Sequence, residues 1–185
     1  MPMLRRRWTV ADLHDLPETN ERYEVIDGAL FVTPAPSWPH QRAVAELHRL
    51  LQEYVTAHLI GCAYFAPADV VFSQQRGVQP DVFVVPLVNG RRPDSFDEAG
   101  RLLLAAEVLS PATARADRVA KRTLYKEEGV PEYWVVDLDA RTFERTTPGE
   151  PRAEVLTERI EWAPASSLPP LVIDVPAFFA RVLDG

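Results

Sequence analysis

Two short motifs set a carboxylate inside runs that otherwise read as buried β-strand, Gln79-Pro80-Asp81 and Glu107-Val108-Leu109-Ser110. Along VQPDVFVV, strand alternation puts Gln79, Asp81 and Phe83 on one face and Val82 and Val84 on the other. Along LLLAAEVLS, Leu103, Ala105, Glu107 and Leu109 share a face. A charge among such neighbours costs on the order of several kcal/mol unless a cation or strong hydrogen bonds compensate it. The two acids fall on strands consecutive in sequence, which are usually near neighbours in a sheet. Hard cations such as Mg²⁺ take oxygen ligands, typically one or two carboxylates plus water and phosphate oxygens. The pair therefore points to a divalent-metal site held by Asp81 and Glu107. The bland alternative is two strand-end charges that pair with arginines.

Lys121 follows 14 residues after Glu107, at the edge of an apolar stripe formed by Ala116, Val119, Ala120, Thr123 and Leu124 on the next helix. Its long stem can reach over the sheet end, where an ammonium can polarise an attacking water or stabilise a developing oxyanion. Asp117 and Lys121 also form an ordinary i,i+4 pair. Arg115, Arg118 and Arg122 cluster on the same helix, as phosphate contacts or as a solvated face. Glu24 shares a hairpin face with Ile26 and is a third candidate acid. His40, at the start of a long helix, either lines a cleft or caps and packs. Gln79 points to the same strand face as Asp81. No dinucleotide-binding, Walker, nucleophile-elbow or zinc-protease motif occurs.

The elements that must position these groups read as follows. YEVIDGALFV is a hairpin turning at Asp27-Gly28, TPAPSWP a connection without helical prospects, and His40 to Leu59 a long amphipathic helix. AYFAPADVVF, VQPDVFVVP and LLLAAEVLS read as strands, ARADRVAKRTLYKEEG as a helix ending at Gly129, and EYWVVDLD with TFERTT as a strand pair. A weaker strand near AEVLTE, then a strand and a short helix in PPLVIDVPAFFARVLDG, complete an α/β chain with a mixed sheet. The length, 185 residues, suits one domain. Its parts are an N-terminal helical segment (1–22), a core (23–148) and a C-terminal strand-and-helix extension (149–185).

The net charge of −7 argues against generic nucleic-acid binding. Yet residues 1–126 carry 15 basic and 15 acidic side chains, and residues 127–185 carry 5 and 12. The acidity thus lies away from the candidate site, and local steering of a polyanion stays open. A single cysteine, Cys62, excludes an intramolecular disulfide framework. No apolar run approaches a membrane span and no secretory signal is present, so the expectation is a cytoplasmic protein.

The segments RYEVIDGALFVTPAPSWPHQRAV, PADVVF, QPDVFVV and AAEVLSPATARADRVAKRTLYKEEGVPEYWVVD closely resemble the Uma-two family of restriction-endonuclease-like proteins, within the PD-(D/E)XK nuclease superfamily. The resemblance covers roughly residues 8–148. It implies a restriction-endonuclease-like core and a Mg²⁺- or Mn²⁺-dependent endonuclease acting on DNA. Asp81 then matches the acid of the PD motif and Glu107 that of the (D/E)XK motif. Leu109 stands where the motif has lysine, and Lys121 would supply that group from the next helix. Glu24 and His40 match the family's hairpin acid and helix-start histidine. A homodimer is expected, because cutting two strands favours two sites. The competing reading is a non-catalytic nuclease-fold module that binds nucleic acid or a partner, favoured by Leu109 and the acidic C-terminal third. Metal-free acid–base hydrolysis by two carboxylates is a third.

Overall fold

The computed structural model describes residues 7–184. Residues 1–6, the start of the expected N-terminal helical segment with Arg5 and Arg6, lie outside the described residues, as does Gly185. After a one-turn helix α1 (Val10–Leu13), strands β1 (Arg22–Ile26) and β2 (Ala29–Thr33) pair antiparallel. Asp27 and Gly28 both have positive φ, 51° and 79°, as a type I′ turn demands. β4 (Val70–Ser73) and β5 (Arg76–Val78) extend this hairpin into a small sheet of order β2-β1-β5-β4.

The larger sheet has the order β10-β9-β8-β7-β6-β3, built from β3 (Gly61–Phe65), β6 (Val82–Pro86), β7 (Leu104–Val108), β8 (Tyr133–Asp137), β9 (Thr142–Thr146) and β10 (Glu154–Leu156). Only the β7–β8 pair in it is parallel, so the sheet is mixed, as expected. A helical crossover joins those two strands: a π-helical stretch (Ala116–Lys121) running into α4 (Arg122–Glu127). The polar loop before β7 holds a one-turn helix, α3 (Phe96–Ala99).

Alternation along β6, β7 and β8 divides the core in two. Val82, Val84, Leu104, Ala106, Trp134 and Val136 pack with the long helix α2 (Trp38–Ala57) and with α5 (Val175–Phe179). Phe83, Ala105, Tyr133 and Val135 pack on the other side with Val78 of the small sheet and with Leu124 and Tyr125 of α4. Glu107 points to this second side, between the large sheet and the small one.

Several elements depart from expectation for identifiable reasons. AYFAPADVVF and VQPDVFVVP each divide into two strands that belong to different sheets. Pro67 and Pro80 sit at the crossings, where a residue without an N–H cannot serve a ladder. Asp81 therefore stands in a bend just before β6 rather than within a strand. α2 starts inside TPAPSWP, with the Ser37 hydroxyl capping the His40 N–H and Pro39 tolerated in the first turn. The strand β11 (Arg159–Trp162), paired with β12 (Leu171–Asp174), lies beyond the expected strands; it buries Ile160 and Trp162, which alternate with Arg159 and Glu161. On the crossover helix the buried residues are Asp117, Lys121, Leu124 and Tyr125, whereas Val119 is 55 % exposed and Thr123 is exposed. The widened turn of the π stretch sets Asp117 and Lys121 inward, against the apolar-stripe reading.

Candidate active site

β1, the head of β6, the end of β7 and the crossover helix bring four carboxylates together between the two sheets. Glu24, Asp81, Glu107 and Asp117 are each at most 3 % exposed, as is Lys121. The ammonium of Lys121 lies 2.9 Å from Glu107 Oε1, 3.0 Å from Glu24 Oε2 and 3.5 Å from Asp117 Oδ1. Tyr125 adds a hydroxyl that donates to Glu107 Oε1 at 3.2 Å. Glu24 Oε1 accepts the backbone N–H of Gln79 at 2.8 Å, so this acid ties the hairpin to the bend that carries Asp81.

Asp81 has its own set of partners. Oδ1 accepts from Arg22 Nη1 at 2.7 Å; Oδ2 accepts the Val108 N–H at 2.9 Å and faces His40 Nε2 at 3.1 Å. The Val108 contact fastens Asp81 to the residue that follows Glu107, which fixes the spacing of the two acids. Arg22 Nη1 also donates to the Gln79 carbonyl. Among the described residues, two polar atoms beside Asp81, Arg22 Nε and His40 Nδ1, are buried without a hydrogen-bond partner.

These surroundings move the acids in opposite directions. Burial pushes Asp81 up, but the hydrogen bond and charge of His40, then the charges of Arg22 and Lys121, outweigh it and hold the carboxyl well below its usual range. Burial lifts Glu107 well above its ordinary value; Lys121 counters only in part, and Asp81, Asp117 and Glu24 add to the rise. Asp117 is raised too, chiefly by burial. For Lys121, burial favours the neutral amine, yet Glu107, Glu24, Asp117 and Asp81 together keep it protonated. Four buried carboxyl groups thus face two firm cations, Arg22 and Lys121, with His40 beside them.

The candidates read from sequence divide accordingly. Asp81, Glu107, Lys121 and Glu24 converge, His40 joins them through Asp81, and Gln79 contributes mainly its backbone while its amide donates to Asp69. Arg118 is engaged with Asp137 and Glu144, both at 2.6 Å. Arg115 is exposed and Arg122 half-buried, and neither makes an ion pair among the described residues. Arg22 and Tyr125 escaped the sequence reading. Arg22 lies two residues before Glu24, hence on the same strand face, and Tyr125 lies four after Lys121 on one helix face; those spacings were the available signals. Among the described residues no three His, Cys, Asp or Glu side chains form a ready-made metal cage.

Comparison with known proteins decides the kinship. A family profile described as "Putative restriction endonuclease", Uma2, matches residues 10–176. The chain belongs to the Uma2 family. A solved structure described as "a putative nuclease belonging to DUF820 from Anabaena variabilis ATCC 29413" has a similar fold, with a TM-score of 0.77 and 21% identity over 95% of this chain and 99% of that one. No curated protein matches. The expected nuclease-like mixed α/β fold and the Uma2 resemblance both hold. Among the described residues, no helix is long and apolar enough to cross a membrane.

Proposed function

We propose that this Uma2 protein is a metal-dependent endonuclease that hydrolyses phosphodiester bonds in DNA. The observation that carries the reading is the convergence of Asp81, Glu107 and Lys121, buried and in fixed register, from the bend before β6, the adjacent strand β7 and the helix that joins β7 to β8. A Mg²⁺ or Mn²⁺ ion suits this donor set: it needs only one or two carboxylates, and the cluster holds more buried acid than its cations balance. Asp81 and Glu107 are the residues that would hold it. Bound there, such an ion lowers the pKa of a coordinated water and offsets charge that builds on the phosphoryl oxygens.

The side chains supply the rest. Lys121, kept protonated by its acidic neighbours, cannot act as a general base; it orients the attacking water and donates to developing negative charge. Glu24 holds that ammonium in place and anchors the Gln79 bend. Arg22 and His40 fix the rotamer of Asp81. Hydrolysis consumes one water, whose oxygen bonds phosphorus while a P–O ester bond breaks and the leaving oxygen takes up a proton.

A second reading, a nuclease-fold module that binds without cutting, draws support from Asp81, whose two oxygens already have partners, and from Leu109. Lys121→Met separates the two. The nuclease reading expects calorimetric Mn²⁺ binding to persist in this variant while cleavage falls by at least about 100-fold, the cost of losing one oriented donor. Wild-type protein that takes up no Mn²⁺ at millimolar metal would favour the module.

A further inference from the structure

Arg22 stands where two clefts meet. One, of about 730 Å³, is lined among others by Arg22, Ser37, His40, Ser110 and Thr113. The other, of about 480 Å³, is lined among others by Arg22, His40, Gln79 and Asp81. Neither is lined by a lysine among the described residues, and their other arginines are Arg118 and Arg141. Both of those are occupied. Arg118 is held by Asp137 and Glu144, and the two Nη atoms of Arg141 donate to the two oxygens of Asp184 at 2.9 and 2.8 Å. Arg22, 16 % exposed, uses only one corner of its guanidinium on the protein. Its Nη1 serves both Asp81 Oδ1, at 2.7 Å, and the Gln79 carbonyl, at 3.2 Å. Among the described residues Nε is enclosed without a partner and Nη2 makes no hydrogen bond.

We propose that Arg22 grips the phosphodiester through its Nε–Nη2 edge while Nη1 keeps hold of Asp81. This rests on the nuclease reading and adds a substrate-binding group to it. A guanidinium presents parallel N–H groups along an edge, a fork that matches two oxygens of one phosphate. In Arg22 that edge is the part the protein leaves unsatisfied. An enclosed N–H without an acceptor is unfavourable, and the surrounding residues supply none; a phosphate oxygen entering from either cleft does. A small turn of the guanidinium about its Nη1 contacts opens Nε to that oxygen. The link to Asp81 also sets the place. A phosphate held on Arg22 lies beside one of the two acids proposed to hold the metal ion. Recognition is of the anionic diester alone and carries no preference for paired or unpaired strands.

The test is the Nε–H resonance of Arg22 in wild-type protein, followed by nitrogen-edited NMR in Mg²⁺ as dimethyl phosphate is added. The signal is expected to move progressively and to saturate. Uncharged trimethyl phosphate, and sodium chloride of equal ionic strength, should leave it in place. A second measurement is cleavage kinetics of Arg22→Lys, which keeps the charge beside Asp81 but loses the fork. Its KM for DNA should rise by about tenfold, the worth of one charged hydrogen bond, while calorimetric Mn²⁺ affinity stays close to wild type. A role confined to holding Asp81 would instead shift Mn²⁺ affinity and leave KM alone. That result overturns the inference, as does a resonance that stays still or answers equally to chloride. If wild type cuts DNA in either case, the nuclease reading survives by itself. If the resonance answers to dimethyl phosphate but wild type cuts no DNA in Mn²⁺, the anion site stands and the nuclease reading falls.

Discussion

Glu107 is buried among three other carboxyl groups, and its ionisation is opposed by all of them. Its folded-state pKa lies above the ordinary value of 4.5. Its contribution to stability is therefore fully present below the unfolded pKa and is lost as pH rises through the folded one. Asp81 works the other way: its stabilising share is present above about 3.8 and disappears as pH falls below that. Glu107→Gln removes the first penalty without adding bulk. Its melting temperature relative to wild type should rise as pH climbs above the ordinary glutamate value of 4.5, as scanning calorimetry can record; a pH-independent difference would contradict the assignment. The same burial predicts that metal uptake expels a proton. Mn²⁺ titrations in two buffers of different ionisation enthalpy should then give different apparent heats, with the difference abolished in Glu107→Gln.

At the scale of elements, the π stretch is what turns two charged residues inward. Val119 lies within it and is largely exposed, so removing it should leave a regular helix with Asp117 and Lys121 three residues apart rather than four. Circular dichroism should stay close to wild type while cleavage drops by about 100-fold, the usual cost of misplacing a reacting group by an ångström; undiminished cleavage would show that the register does not matter. Gly77 tests the packing of the small sheet. A Cβ there would meet Val10 Cγ2 at 2.6 Å, so Gly77→Ala should cost about 1–3 kcal/mol in urea unfolding as α1 is pushed away.

Legibility in the sequence follows from range. The Asp27-Gly28 hairpin, the helix after His40 and the inward alternation of Glu107 are local patterns, and local periodicity displays them. The split of VQPDVFVVP between two sheets depends on strand partners far away in the chain. Arg22 became a site residue only once β1 lay beside the Gln79 bend. The inward face of the crossover helix was legible only in part: the apolar stripe holds at Leu124 but fails at Val119 and Thr123, and Asp117 and Lys121 take their places on the buried face.

For the whole molecule, an acidic chain whose cleft residues Arg118 and Arg141 are already ion-paired should grip nucleic acid weakly by charge. The slope of log affinity against log salt for a single strand is expected at roughly −1 to −2, that of two or three phosphate contacts; a slope several times steeper would point to an unrecognised basic surface. The most direct measurement is cleavage itself: wild type, Asp81→Asn and Glu107→Gln, each incubated in Mn²⁺ with single-stranded circular DNA and supercoiled plasmid together. Cleavage of either DNA by wild type, prevented by EDTA and lost in both variants while their melting transitions stay cooperative, is the predicted result. Variants that cut like wild type, or a wild type that leaves both substrates intact, would contradict the account.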